Sequence, residues 1–536
     1  MKRALDPLHE EPFDIVVIGA GILGASIARD AALRGLSVAL VEKRDFGAQT
    51  SANSLKLIHG GLRYLQHLDL ARMRSSIRER SVWLRIAPHL VEPLPFVVPT
   101  SRSGLHRKTL LRAALQVNDM LSRDRNSGVP EERHIPAGRA LSRNETLELV
   151  PELESRSLTG GVMFHDALMY SAERLVLAVI QGAHAAGAVV ANYVEIQGRR
   201  SAGTGVTTLA ARDHRSGSSF EVHARLVVNA AGPAAPTLAA RLLGHSTLVE
   251  TPYSLALNLV FPAREHRVAF TLPSSSRDPN SVVHTGSRQL LVVPWRQRSL
   301  IGTAHYPLAG RGGDLEAVED GTVERFLAEI NQAWPEAAFD AAKLEHVHAG
   351  LLPTLSDSGS SPVRLLKRHR VVDHGAEGAP WLISAVSVKY TTARLVAEEV
   401  VDHLFTRRGS TPPPCRTSHT LLPGAPASVA ELLAAARRNY GELLEGEVLE
   451  HLVRSYGTGF PRVLDYRRTL PRWDERVEAS APVIRAQLVH SAATEMVCCA
   501  EDLVLRRTEL GPRGLASDAA LAAAAEALAA APAPAG

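Results

Sequence analysis

Gly19, Gly21 and Gly24 close the run DIVVIGAGILG at residues 14–24, and Glu42 closes the run LSVALVE. The stretch SANSLKLIHGGLRYL at 51–65 then sets His59, Arg63 and Tyr64 around a glycine pair. The glycine spacing is that of a turn that binds a nucleotide. Gly19 permits the tight turn, Gly21 lets a pyrophosphate approach the backbone, and Gly24 lets helix and strand pack closely. Glu42 lies 18 residues beyond Gly24, where a carboxylate accepts hydrogen bonds from an adenosine ribose. An acid there repels a 2′-phosphate, which disfavours NADP. The turn alone leaves NAD and FAD open.

These residues need a strand, a turn and a helix to position them. Residues 14–18 are short, β-branched and bounded by glycine, the pattern of a buried parallel strand. Residues 22–34 carry apolar side chains at helical spacing and stop at Gly35. The helix N-terminus offers free N–H groups and a partial positive charge to phosphates.

The chain has 536 residues, enough for two or three domains with a large core. Apolar content of 45% and charged content of 22% are those of an ordinary globular protein, and a net charge of +4 is too slight to argue for nucleic acid. Cys415, Cys498 and Cys499 form neither a disulfide framework nor a metal-ligand spacing, which fits a reducing interior. Cys498 and Cys499 sit in an apolar helical pattern and read as core thiols. The N-terminus lacks the plan of a signal peptide and no run approaches 18 apolar residues. The expectation is a cytoplasmic protein that does not span a membrane but can lie on its inner face.

Residues 1–12 read as a flexible leader, and 101–150 as an Arg-rich surface excursion. Residues 251–310 alternate as an antiparallel sheet does, and 381–386 return to a buried strand ahead of a helix over 391–405. The Pro-rich joint at 411–414 marks a boundary. The expected fold is α/β and discontinuous: a nucleotide unit and an inserted antiparallel sheet, around 235–350, share residues 13–410. A helical domain follows over 416–515, and 516–536 read as a disordered Ala/Pro tail.

The segment IARDAALRGLSVALVEKRDFGAQTSANSLKLIHGGLRYL resembles the FAD-dependent glycerol-3-phosphate dehydrogenases, within the D-amino-acid-oxidase-like flavoproteins. VVNAAGPAA at 227–235, VVPWRQRSLIGTA at 292–304, KYTTARLVAEEV at 389–400 and CAEDLVLRRTELG at 499–511 extend the resemblance over nearly the whole chain. It implies a Rossmann-like FAD domain of the glutathione-reductase type. It further implies hydride transfer from a polyol phosphate to flavin N5, with electrons passed to a membrane quinone or to oxygen.

By the same resemblance Gly19, Gly21, Gly24 and Glu42 hold the ADP half. Thr50, Ser51 and Ser54 match hydroxyls near the pyrophosphate and ribityl, while Lys56, Leu57 and His59 match positions beneath the flavin. Val194 matches a backbone contact to adenine, Gly232 the last turn around the cofactor, and Thr391 a contact in the KxTT segment. Removing a hydride from a secondary alcohol needs an acceptor for the hydroxyl proton and positive charge near the developing alkoxide. Any phosphate needs cations as well. Arg63, Tyr64, His59 and Lys389 are the candidates.

The chain departs from the family at three places. Leu352 stands where an arginine grips substrate phosphate, Ser387 and Val388 replace a glycine pair, and Asn258 replaces a histidine. By the resemblance Arg368 matches a second family arginine that can compensate, with Lys367 or Arg370, and His305 stands where the family often has an acid and can add charge. Leu352 favours an alternative in which the same flavin chemistry acts on another polyol phosphate, a hydroxy acid or an amine. Ser387-Val388 favours a flavin-binding protein that has lost catalysis.

Overall fold

In a computed structural model, residues 1–531 are described apart from 63, 65–68, 102–107, 155–156, 203–204, 248, 250, 278–286, 309–312, 316–317 and 356–362. Arg63 therefore lies outside the described residues.

The strand Phe13–Ile18 sits in the middle of an eight-stranded sheet. It pairs in parallel with Ser219–Asn229 on one side and Val38–Val41 on the other. Leu382–Val386 and Val189–Ala191 continue the parallel core outward. Ile15, Val16, Val17, Val38, Leu40, Val227 and Val228 are buried, as a parallel sheet covered on both faces requires. The helices Ile22–Leu33, Ala172–Ala185 and Ala393–Arg407 cover one face, and the strands Val194–Ala202 and Thr207–Asp213 with the helix Ala235–Leu243 cover the other.

A second, nine-stranded sheet runs from His346–Pro353 through Tyr253–Pro262, Arg298–Pro307, Ser287–Trp295 and Ala269–Arg277 to Val91–Ser101, Leu158–Met169 and Leu57–Ile58. Arg139–Leu141 adds to Leu158–Met169. The sheet thus recruits strands well before residue 235, which corrects the expected boundary of the insert. The described residues of the 101–150 stretch are likewise built in, through Arg139–Leu141 and the buried Leu115 and Leu141. Pro93, Pro95 and Pro99 remove three N–H donors from Val91–Ser101. That strand pairs along its length with Leu158–Met169 but meets Ala269–Arg277 at only two residues.

The C-terminal region packs Val429–Tyr440, Gly446–Tyr456, Arg485–Thr494 and Asp518–Ala530 around two small cores. Asp45, three residues beyond Glu42, accepts from Arg507 Nη1 at 2.7 Å and Arg506 Nε at 2.5 Å. Arg174 binds both oxygens of Glu495 at 2.8 Å. Buried ion pairs thus fasten the helical region to the cofactor sheet.

The described residues near both ends, through 531, are packed against the rest of the chain, contrary to expectation. Leu8 is fully buried within Pro7–Glu10, and Arg3 donates to the Asn192 carbonyl at 3.0 Å. In Asp518–Ala530 the small faces of Ala520, Ala524 and Ala527 pack at helical spacing, and Ser517 Oγ caps the helix by accepting from Ala520 N. Cys498 and Cys499 are half-buried ahead of the short helix Ala500–Asp502, with Cys499 at its N-cap. They are not core helix thiols.

Candidate active site

The turn after Phe13–Ile18 has the geometry its glycines allow. Gly19 has φ +103°, and a Cβ on Gly24 would stand 1.9 Å from the Gly19 carbonyl oxygen. Gly24 therefore acts by close packing; it does not line the cavity. Glu42 braces the turn from the next strand: Oε2 accepts from Ala20 N at 2.8 Å and Oε1 from Arg44 N at 3.0 Å. Burial pushes its carboxyl up from the ordinary range. Ser51 Oγ accepts from Ile22 N at 3.0 Å, capping the first helix turn.

A cavity of about 960 Å³ begins at this turn and extends between the two sheets. Gly19, Gly21, Glu42, Ser51, Val194 and Gly232 line one end; His59, Tyr64, Val388, Lys389 and Thr391 line the other, with Thr50, Ser54 and Leu57 also on its wall. The volume is that of a ligand cleft. Val194 N donates to the Glu42 carbonyl at 2.8 Å, which sets the start of its strand against the turn. At Gly232, φ +57°, nothing lies within 4 Å of where a Cβ would stand. The wall there is bare backbone, and these residues fit a dinucleotide laid from Glu42 toward Lys389.

The 51–61 segment is pinned from several sides. Thr50 Oγ1 donates to the Leu351 carbonyl and accepts from Leu351 N, both at 3.1 Å. Leu57–Ile58 pairs with Leu168 and Ala167. Gly60 N and Arg80 Nη1 both donate to Asp166 Oδ1, at 2.5 and 2.6 Å. His59 N donates to Thr391 Oγ1 at 3.2 Å, so its ring enters the cavity beside Tyr64, centroid to centroid 5.8 Å.

Lys56 is a correction to expectation. Its left-handed backbone, φ +58°, turns the side chain away from the cavity. Nζ instead donates to Glu173 Oε1 at 2.5 Å and the Ala52 carbonyl at 2.6 Å, fully buried. Burial holds its pKa below the ordinary value despite that carboxylate. Lys56 shapes the loop, and its side chain is off the cavity wall.

Lys389 has the opposite placement. Its Nζ donates to Ser76 Oγ at 2.6 Å and Tyr64 Oη at 3.4 Å, inside the cavity. Burial, and next the Arg72 guanidinium, bring its pKa down to about 7. Arg72 also lines the cavity, with Cζ 4.2 Å from the Tyr64 ring centroid. Sequence reading missed Arg72, Ser76 and Asp166, because nothing in helical or strand periodicity tells a cavity wall from a core.

The three departures line the same space. Leu352 is on the wall, in register with Ser254. Asn258 Oδ1 accepts from Thr303 Oγ1 at 2.8 Å and stands where a Cβ on Gly302 would be 2.0 Å away. Ser387 and Val388 line the wall, as does His305. Arg368 is exposed and off the wall; the neighbouring Lys367 reaches it instead. Arg370 Nη1 donates to Thr251 Oγ1 at 2.8 Å.

Fold and cavity together define the class, an oxidoreductase that carries a dinucleotide cofactor between a parallel sheet and a substrate sheet. The family model for FAD dependent oxidoreductases matches residues 14–394, and that for the C-terminal domain of alpha-glycerophosphate oxidase matches 415–532. A glycerol-3-phosphate dehydrogenase of Synechocystis is 32% identical over 515 residues, covering 95% of this chain and 90% of that protein. Glycerol-3-phosphate dehydrogenase 2 of Mycobacterium tuberculosis is 30% identical over 512 residues, covering 94% and 82%. The structure of the glycerol-3-phosphate dehydrogenase from Bacillus halodurans complexed with FAD has a TM-score of 0.71 at 24% identity, covering 94% of this chain and 88% of that one, a likeness of fold. The chain belongs to the FAD-dependent glycerol-3-phosphate dehydrogenase family. FAD is its cofactor.

Proposed function

We propose that the protein oxidises sn-glycerol 3-phosphate at C2 to dihydroxyacetone phosphate. FAD, when bound, supplies the hydride acceptor at N5. The observation that carries the reading is the meeting of His59, Tyr64 and Lys389 at the end of the cavity away from Glu42. His59 is the group we assign to accept the hydroxyl proton, since its backbone is fixed by Thr391 and its ring lies in the cavity. Tyr64 orients the hydroxyl, and Lys389 supplies positive charge. Arg63 is assigned to the substrate on its sequence position alone.

His59→Asn tests the assignment. A positioned base contributes ~10²–10⁴ in rate, so anaerobic flavin reduction should slow by that factor with FAD content retained. A loss under threefold moves the base elsewhere.

We assign the cofactor contacts to Gly19, Gly21, Glu42, Thr50, Ser51, Ser54, Leu57, Val194, Gly232 and Thr391, all on the cavity wall. Gly24 assists by letting the helix close on the turn.

A quinone is the proposed electron acceptor. Phe96, Val98, Leu111, Ala114, Leu115 and Phe164 make one flank of the cavity apolar. Three of these belong to the helix Lys108–Leu121, whose outer face exposes Leu110, Val117 and Met120. An apolar face of that kind suits contact with a membrane surface. Among the described residues no helix is long and apolar enough to cross a membrane. Faster reoxidation by a short-chain quinone than by oxygen supports this reading, and the reverse order overturns it.

Leu352 favours a second reading, the same chemistry on a different alcohol or amine. If Leu352→Arg raises glycerol 3-phosphate turnover strongly, the native site is built for that other substrate.

A further inference from the structure

The cavity places two cations on one aromatic ring, and among the described residues neither forms an ion pair with a carboxylate. Lys389 Nζ is 4.8 Å and Arg72 Cζ 4.2 Å from the Tyr64 ring centroid. The acidic groups that face them are engaged elsewhere. Asp69 Oδ1 accepts from Arg72 N at 3.1 Å as the N-cap of Leu70–Ile86, and Glu79 holds Arg394 through both oxygens, at 2.6 and 2.8 Å. Arg72 Nε is buried and has no hydrogen-bond partner among the described residues.

Arg72 stands in the first turn of a 17-residue helix, where the dipole disfavours a cation. A second cation on the same ring adds like-charge repulsion in a half-buried site. The Tyr64 ring and the fields of Asp69 and Glu79 offset these costs only in part, neither cation forms an ion pair among the described residues, and a dianion bound between the two cations would offset the remainder. The lowered pKa of Lys389, to which Arg72 contributes, agrees with an anion site that is short of negative charge.

We propose that Arg72 and Lys389 form a two-cation clamp for the phosphate of the substrate, in place of the arginine that Leu352 displaces. The clamp rests on the polyol-phosphate reading for its natural ligand, but its chemistry is that of any tetrahedral dianion. Two nitrogen groups on one ring set the distance between them, and the Ser76 hydroxyl holds the lysine in place. Arg72 is then a specificity residue: it selects phosphorylated over free alcohols.

Sulfate is the probe, since it carries two charges across the working pH range and does not react. Its dissociation constant is read from the perturbation of the flavin spectrum in the holoenzyme, beside the KM for glycerol 3-phosphate. Truncating one charged partner of a phosphate should weaken both by ~30-fold or more in Arg72→Leu, with Arg72→Lys in between. Wild-type sulfate affinity should fall as pH rises through about 7 and Lys389 loses its proton. In Arg72→Leu that fall should move to higher pH, a change that a purely structural arginine would not produce.

Sulfate and substrate constants within twofold of wild type in flavin-loaded Arg72→Leu, or in Arg72→Gln if the leucine variant loses FAD, overturn the clamp. Loss of sulfate binding in a protein whose flavin glycerol 3-phosphate never reduces keeps the clamp and removes the polyol-phosphate reading.

Discussion

Lys56 Nζ lies 2.5 Å from Glu173 Oε1, both side chains sealed from solvent, although the two residues are 117 apart in sequence. This pair ties the loop that carries Ser51, Ser54, Leu57 and His59 to the helix Ala172–Ala185. Breaking a buried pair by removing one partner leaves an unpaired charge and costs ~3–5 kcal/mol.

Lys56→Met should therefore lower the melting temperature and the FAD content of the purified protein. The double variant Lys56→Met/Glu173→Met should recover part of both losses, because the stranded carboxylate is gone. Thermal unfolding with and without added FAD checks this. A double variant no better than the single one would mean that the pair is not what holds the loop.

Lys389 gives stability a pH dependence of definite sign. Its folded pKa, about 7, is below the ordinary 10.5. Between those values the unfolded chain binds the proton and the folded one does not, so Lys389 makes stability rise with pH across about 7 to 10.5. Below 7 the burial penalty is present in full. Lys389→Met should accordingly raise apoprotein stability most at pH 6 and least near pH 10, measured as the difference in melting temperature from wild type. A difference that stays flat with pH contradicts the assignment.

Asp45 ties the cofactor sheet to the C-terminal helices. Burial alone would raise its carboxyl, yet Arg507 and Arg506 overturn that and hold it down at about 2. The stability it contributes is present above pH 3.8 and is lost as pH falls toward 2. Asp45→Asn leaves two guanidinium groups short of charge and should cost ~3–5 kcal/mol. Limited proteolysis should then release the region beyond about residue 415 earlier than in wild type. Equal cleavage rates would mean that the other pairs, Arg174–Glu495 and Arg296–Glu509, suffice.

The sequence made the strand–turn–helix of residues 13–34 legible because its constraints are local. Glycine at 19, 21 and 24 answers to backbone geometry within one turn, and Glu42 follows at a fixed remove. The misreadings fall where contacts are distant. Lys56 looked like a motif lysine facing the cofactor, but a positive φ and a carboxylate 117 residues away decide where it points. The Ala-rich tail looked disordered by composition, whereas Ala520, Ala524 and Ala527 form a narrow face that packs tightly because it is small. Arg72 carried no signal at all, since one more arginine in a basic helix is unremarked until the fold sets Tyr64 against it.

The proposed function sets FAD in this cavity beside a site for a phosphorylated secondary alcohol. Anaerobic titration of the purified holoenzyme with sn-glycerol 3-phosphate tests it most directly. The visible flavin band should bleach at one equivalent per bound FAD, with dihydroxyacetone phosphate formed in equal amount. A fully loaded flavin that stays oxidised in excess glycerol 3-phosphate, while another alcohol or amine bleaches it, would contradict it.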